Sequence, residues 1–328
     1  MRVLVTGANG FVGTPTCARL LSAGVEVIAA VRRQPATLPP GVAPVIVGEI
    51  DETTMWEEAF RGVSAVVHLA ARVHVAANVS RNSPDEFRRV NVEGTAHLAR
   101  RAAASGVRRF VFVSSVKVHG EGRSSPYTEK DAAAPEDAYA RSKWEAEQEL
   151  RAIERETGLE VAIVRPPLVY GPGVRANFLK LMELLHKRAP LPFKSVRNRR
   201  SLVFVSNLAD ALATCLTHPA AAGQTFLVSD GDDRSTPDLI RQLGEAMHLP
   251  VTLLPVPVAW LRGVGLQALV GARGFVHDDL SPKGFVRVQG ELWSAQALPA
   301  DQMIVAGTEV EIVSAEHMTV FVRTVGPD

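Results

Sequence analysis

Short unbroken apolar runs alternate along the first half of the chain with stretches in which apolar residues recur every three or four positions. The runs RVLVT (2–6), VEVIAAV (25–31), PVIV (44–47), SAVVHLA (64–70), RFVFVSS (109–115) and EVAIVR (160–165) predict strands. Helices are expected near 11–23, 52–60, 84–105 and 137–157. The strand runs are continuous and β-branched, which indicates strands covered on both faces. Strand and helix in alternation give an α/β fold built on a doubly wound parallel sheet.

After Arg165 the rhythm loosens. RPPLVYGPG (165–173) reads as a loop. A helix near 175–187, a strand at 201–205, a helix at 207–218, a strand at 224–228 and a helix at 236–247 follow. These predict a small substrate part, about 166–270, over the carboxyl edge of a cofactor part, about 1–165. The stretch 251–270 is broken by Pro255, Pro257, Arg262, Gly263 and Gly265. It fits a strand and an amphipathic helix starting near Pro257 better than a membrane span. From Gly271 the period becomes two, with turn residues at Pro282, Gly284, Gly290 and Gly307. Residues 271–328 are therefore expected to form about five short antiparallel strands, closed into a small barrel.

Composition narrows the function only a little. A chain of 328 residues with 46% hydrophobic and 22% charged positions is ordinary for a globular protein. A net charge of +1 gives no basic face for nucleic acid. Cys17 and Cys215 fall in apolar helical patterns, which suits reduced, buried thiols and a cytoplasmic setting. The opening MRVLVTGANG does not read as a signal peptide. His68 and His74 have no metal-ligand spacing, so no metal is expected.

The chemistry begins at VTGANGFVG (5–13). Gly7, Gly10 and Gly13 lie between the first strand and the first helix. Glycines there permit a tight turn and let backbone N–H groups approach a dinucleotide pyrophosphate. The second strand ends in AAVRRQ, with Arg32 and Arg33 where an acid would bond the ribose of NAD. Two guanidiniums suit a 2′-phosphate, so NADP(H) is favoured and NAD(H) stays open.

Tyr139, one of three tyrosines, precedes Lys143 by four residues on a charged helix. The spacing puts them on one face. A nearby ammonium favours a phenolate, which can take a proton from a substrate alcohol as hydride leaves. Ser114 and Ser115 end the fifth strand, at the edge where such sites form.

The motifs TGANGFVG, VVHLAA (66–71), NVEGT (91–95), VSSVKVHG (113–120), YARSK (139–143), RPPLVYGPG and RRSLVFVSNLADAL (199–212) resemble the extended short-chain dehydrogenases/reductases. That family includes the nucleotide-sugar epimerases, dehydratases and 4-ketoreductases. The resemblance covers about residues 1–268. It implies hydride transfer at a sugar carbon, C4 being expected, of a nucleotide-diphosphate sugar, by a 4-epimerase or a 4-ketoreductase. It implies Ser115, Tyr139 and Lys143 as the catalytic set, with Lys143 also on the nicotinamide ribose. Asn91 would support the site, Glu49 would lie near the adenine, and Phe11, Val12, Ile50, Leu69, Ala70, Ala71 and Pro166 would complete the cofactor groove. Asn177 and Arg200 would bind the sugar nucleotide. A homodimer through helices 84–105 and 137–157 is also implied. One departure is His119, where the family usually has tyrosine.

The tail departs further. GFVHDDLSPKGFVRVQGELWSAQ and VAGTEVEIVSAEHMTVFVRTV resemble the C-terminal OB-fold domain of NfeD-like proteins, which implies a module for a stomatin/flotillin-type membrane-associated partner. Eight acids against four bases in 271–328 argue against nucleic acid there, and Trp293 and Phe285 are expected in a core or an interface. A non-catalytic NADP(H)-binding scaffold that recruits its partner through the barrel is the alternative to an enzyme.

Overall fold

The computed structural model describes residues 1–34, 38–73, 84–120, 123, 125–174, 176–256, 269–288, 291–299, 301–316 and 319–325. Each of the six apolar runs coincides with or overlaps a strand: β1 (Arg2–Thr6), β2 (Glu26–Val31), β3 (Ala43–Ile46), β4 (Ala65–His68), β5 (Arg109–Val113) and β6 (Glu160–Arg165). β7 (Leu168–Tyr170) and β8 (Leu202–Phe204) pair separately, and β9 (Thr225–Leu227) returns to the main sheet. The parallel order β3-β2-β1-β4-β5-β6-β9 reverses beside β1. The crevice at the carboxyl ends of β1 and β4 is thus the switch point where such sheets hold ligands.

The helices are α1 (Gly13–Ser22), α2 (Pro84–Phe87), α3 (Gly94–Ala104), α4 (Ala138–Thr157), α5 (Ala176–His186), α6 (Val205–Thr217) and α7 (Thr236–Ala246). Strand parity sorts the core into two layers. Leu4, Ile28, Val66, Phe110, Phe112 and Ile163 pack with Leu98 of α3 and Leu150 and Ile153 of α4. Their neighbours Val3, Val5, Val27, Val67, Val111 and Val164 pack with Cys17 and Leu20 of α1 and Leu208 and Leu212 of α6. Burial pushes the Cys17 thiol up to about 12, as befits an inert core group.

Some expectations change. Residues 52–60 are turns, not a helix. Asp51 Oδ1 accepts from the Thr53 amide at 2.9 Å, and Thr54 Oγ1 accepts from the Asp51 amide at 2.9 Å. These local bonds compete with a helix, while Trp56 and Phe60 still reach the core. The segment 84–105 is broken by a π-helical turn at Arg88–Glu93, between α2 and α3. RPPLVYGPG contains β7. α6 packs on the main sheet, and β9 pairs with β6 at its edge.

The chain divides into two compact units, Met1–Leu179 with Ser201–Asp233, and Lys180–Arg200 with Arg234–Asp328. The second unit holds a small apolar cluster around Leu185, Leu191 and Ile240. It also holds a closed barrel of β10 (Arg273–Asp278), β11 (Lys283–Val288), β12 (Glu291–Ala297), β13 (Glu309–Glu316) and β14 (Thr319–Thr324), in the order β10-β11-β12-β14-β13. All its pairs are antiparallel except β12 with β14, which is parallel, so the expectation of a purely antiparallel barrel fails at one seam. Val276, Val286, Val288, Val310, Ile312, Val320 and Val322 fill the interior. Trp293 packs against that core, and Phe285 stays 45% exposed. No described helix is long and apolar enough to cross a membrane. The helix expected near Pro257, the turn at Gly290 and His74 lie outside the described residues.

Candidate active site

β1 delivers the chain to a bare backbone turn. Gly7 has φ +66°, and a Cβ there would lie 2.9 Å from the Ala70 amide nitrogen. At Gly13 a Cβ would fall 2.0 Å from the Gly7 carbonyl oxygen. The Gly10 amide closes the turn onto Gly7 O at 2.9 Å. Phe11 and Val12, both half-buried, lead into α1, whose first turn carries no acid. A turn bare of side chains and the positive helix end suit a pyrophosphate, so this cradle fits a dinucleotide. Leu69, Ala70 and Ala71 line the turn after β4. Thr6 Oγ1 holds the Leu69 and Ala70 amides at 3.2 and 3.1 Å.

Arg32 and Arg33 follow β2 and are exposed. Arg32 Nη1 lies 3.2 Å from Glu49 Oε1, so the structure brings an acid to a strand end that has none in its own sequence. Ile50, 7% exposed, packs into the core layer beneath.

The candidate proton-handling residues sit on two elements. Asp137 caps α4 by accepting the Ala140 amide at 2.7 Å, which starts the helix just before Tyr139. Lys143, one turn on, is 2% exposed. Its Nζ donates to Val113 O at 2.7 Å and lies 4.4 Å from the Phe112 ring centroid. Burial pulls the Lys143 ammonium down to about 7, against the pull of the Glu147 carboxylate. Burial, with Asp137, pushes Tyr139 up to about 12. This runs against the expected lowering of the phenol, because burial of Tyr139 itself and the Asp137 carboxylate both disfavour the phenolate. Ser115 caps a one-turn 3-10 helix (Val116–His119), its Oγ accepting the Lys117 amide at 3.2 Å. Ser114, 2% exposed, has an Oγ without a hydrogen-bond partner among the described residues. Pro166 O accepts the Val116 amide at 3.0 Å, which ties the end of β6 to the same turn.

Asn91 lies in the π-helical turn and is 1% exposed. Its amide brackets the Arg72 backbone, accepting from N at 2.7 Å and donating to O at 3.0 Å, and it donates to Ser142 Oγ at 2.9 Å. It thus joins the loop after β4 to α4. Single π turns recur at functional sites.

Two buried polar sets escaped the sequence reading. His68 lies between Thr6 Oγ1 (2.7 Å) and Thr95 Oγ1 (2.9 Å), and burial holds its imidazole down at about 3. Glu147, Arg165 and His119 form the second set. Arg165 Nε and Nη2 donate to Glu147 at 3.0 and 2.5 Å, and Arg165 Nη1 donates to His119 Nε2 at 2.9 Å. A signal was present: an arginine ending a covered strand needs a buried partner.

Asn177 lies in α5, but its side chain is outside the described residues. Arg200 belongs to the second unit, where its backbone exchanges hydrogen bonds of 2.9 and 3.0 Å with Arg234. Among the described residues, no group of three His, Cys, Asp or Glu could hold a metal ion.

The sequence matches the NAD dependent epimerase/dehydratase family over residues 3–229. It matches the NfeD-like C-terminal, partner-binding domain over residues 266–323. It is 44% identical over 259 residues to the UDP-glucose 4-epimerase of Vibrio cholerae, covering 78% of this chain and 79% of that one. The N-acetyl-alpha-D-glucosaminyl-diphospho-ditrans,octacis-undecaprenol 4-epimerase of Escherichia coli O157:H7 is 28% identical over 267 residues, 80% and 77% of the two chains. Among solved structures, MoeE5 in complex with UDP-glucose and NAD superposes with a TM-score of 0.67 at 26% identity, covering 78% of this chain and 86% of that one. The Thermus thermophilus UDP-glucose 4-epimerase complex with NAD gives 0.66 at 28%, with coverage of 78% and 86%.

Proposed function

The chain belongs to the NAD dependent epimerase/dehydratase family, joined to an NfeD-like C-terminal domain, and from that premise we propose that it interconverts a nucleotide-diphosphate sugar and its C4 epimer. The observation that carries the reading is Lys143, buried one helical turn from Tyr139 and bonded at 2.7 Å to the carbonyl just before Ser114 and Ser115. The identity to a UDP-glucose 4-epimerase supports UDP-glucose as the first substrate to test.

A bound nicotinamide supplies the hydride acceptor and donor at C4. Tyr139 takes the proton from the C4 hydroxyl and gives it back to the keto sugar. Held near 12, the phenol is the proton-giving form, and the charge on Lys143 favours the proton-taking one. The Ser115 hydroxyl holds the same sugar oxygen. The backbone of Gly7, Gly10 and Gly13 holds the pyrophosphate.

A 4-ketoreductase using NADP(H) is the second reading, and it rests on Arg32 and Arg33. The carboxylate of Glu49 offsets part of that positive charge, so the preference between the two cofactors is small. We also assign the barrel to a membrane-associated partner and the helical face of α3 and α4 to a homodimer. A monomeric mass at micromolar concentration would sink the dimer.

The test uses the purified protein with UDP-glucose, followed by formation of UDP-galactose, and identifies any dinucleotide released on denaturation. Epimerisation with retained NAD, and a loss of roughly a thousandfold in Tyr139→Phe with the dinucleotide still bound, is the expected result. Turnover unchanged in Tyr139→Phe would remove the assignment. A folded protein that binds NADP(H) and turns over no sugar nucleotide would favour the scaffold.

A further inference from the structure

Glu147, Arg165 and His119 are 1%, 5% and 3% exposed. Burying a charge pair in place of apolar side chains seldom gains stability, so the set calls for another role. Its geometry supplies one. Glu147 stands one turn beyond Lys143 and two beyond Tyr139 on α4. Arg165 ends β6 and donates to both Glu147 oxygens. Its remaining nitrogen reaches His119 Nε2 at 2.9 Å. A guanidinium only donates, so His119 is neutral with its proton on Nδ1. Burial and the positive charge of Arg165 both hold the imidazole pKa down, in keeping with that form. His119 closes the single turn that Ser115 opens.

We propose that Arg165 is a positioning residue: its guanidinium is a rigid spacer between Glu147, on the helix of Tyr139 and Lys143, and His119, at the end of the Ser115 turn. The proposal rests on the reading of those three residues as the reacting set. The planar fork of arginine fixes the angles at both ends, which the flexible point charge of a lysine does not. The spacer also keeps the Glu147 carboxylate one turn from Lys143. The ionisable group that acts on Lys143 is Glu147, from its own helix, and Lys143 in turn helps to hold down the imidazole of His68 on β4.

The test compares His119→Leu, which cannot accept from Arg165, with His119→Gln, whose side-chain carbonyl can. With UDP-glucose as substrate, His119→Leu is expected to lose about tenfold in kcat with KM held, and His119→Gln to recover most of it. Glu147→Gln, where it folds, is expected to move the alkaline limb of the kcat–pH profile to lower pH, because Lys143 then loses the carboxylate that favours its charged form. A His119→Leu enzyme within twofold of wild type, or no recovery in His119→Gln, overturns the proposal. If the wild-type protein turns over no sugar nucleotide, the functional reading fails separately. The spacer is then read from amide hydrogen exchange at residues 116–120 in the NAD-saturated protein. About tenfold faster exchange in His119→Leu, restored in His119→Gln, supports it, and equal rates overturn it.

Discussion

The two ends of the switch-point crevice are made from different materials. At β1 and α1 the surface is backbone: three glycines and a helix end, with the charged pair of Arg32 and Glu49 on the outside. At β4, β5, α4 and β6 the surface is buried side chains, with Lys143, Glu147, Arg165, His119 and His68 all 5% exposed or less. A pyrophosphate needs only directed dipoles, which glycines expose at little cost. Moving a proton needs groups whose charge state is held by their surroundings, and burial is the means. The first end should therefore be sensitive to added volume, and the second to lost charge partners and to pH.

The largest effect should come from breaking the buried pair. Arg165→Met leaves the Glu147 carboxylate uncompensated and should cost about 3–5 kcal/mol in urea unfolding. The double variant Glu147→Leu/Arg165→Met should regain most of that stability, because it removes both charges. Next comes the backbone end. Gly13→Ala places a Cβ 2.0 Å from the Gly7 carbonyl, so the turn must shift. A loss of about 1–3 kcal/mol in stability is expected, together with weaker dinucleotide binding by calorimetry. If Gly13→Ala bound dinucleotide normally, the backbone-cradle half of the contrast would fall.

A smaller effect separates the ends by pH. His68 has a folded pKa near 3, below its ordinary 6.5. The unfolded chain therefore takes up the proton first, and the stability this neutral imidazole contributes is present above 6.5 and lost as pH falls toward 3. His68→Gln should flatten the acid limb of stability against pH, measured by thermal unfolding at stepped pH. The smallest effect is expected at the surface. Arg32→Ala should change the ratio of NADP(H) to NAD(H) affinity by less than about tenfold, and Glu49→Gln should shift it toward NADP(H).

The same contrast decides what the sequence reveals. The glycine turn, the Tyr139–Lys143 pair and Ser115 each lie within a few consecutive residues, where local spacing carries the meaning. The sheet was legible because each covered strand is a continuous apolar run. The links between elements were not: Thr6 meets His68 across 62 positions and Arg165 meets His119 across 46. Glu49 joins Arg32 only because β3 pairs with β2. The missing helix at 52–60 failed for a local reason: Asp51, Thr53 and Thr54 bond to one another's backbone, which an apolar period does not register.

One feature of the tail reaches beyond its own fold. The parallel seam between β12 and β14 completes a ring in which every strand has two neighbours. A ring has no free margin on which a stray strand could seed growth. A domain of that kind can be carried from one host chain to another during evolution without turning its new host sticky.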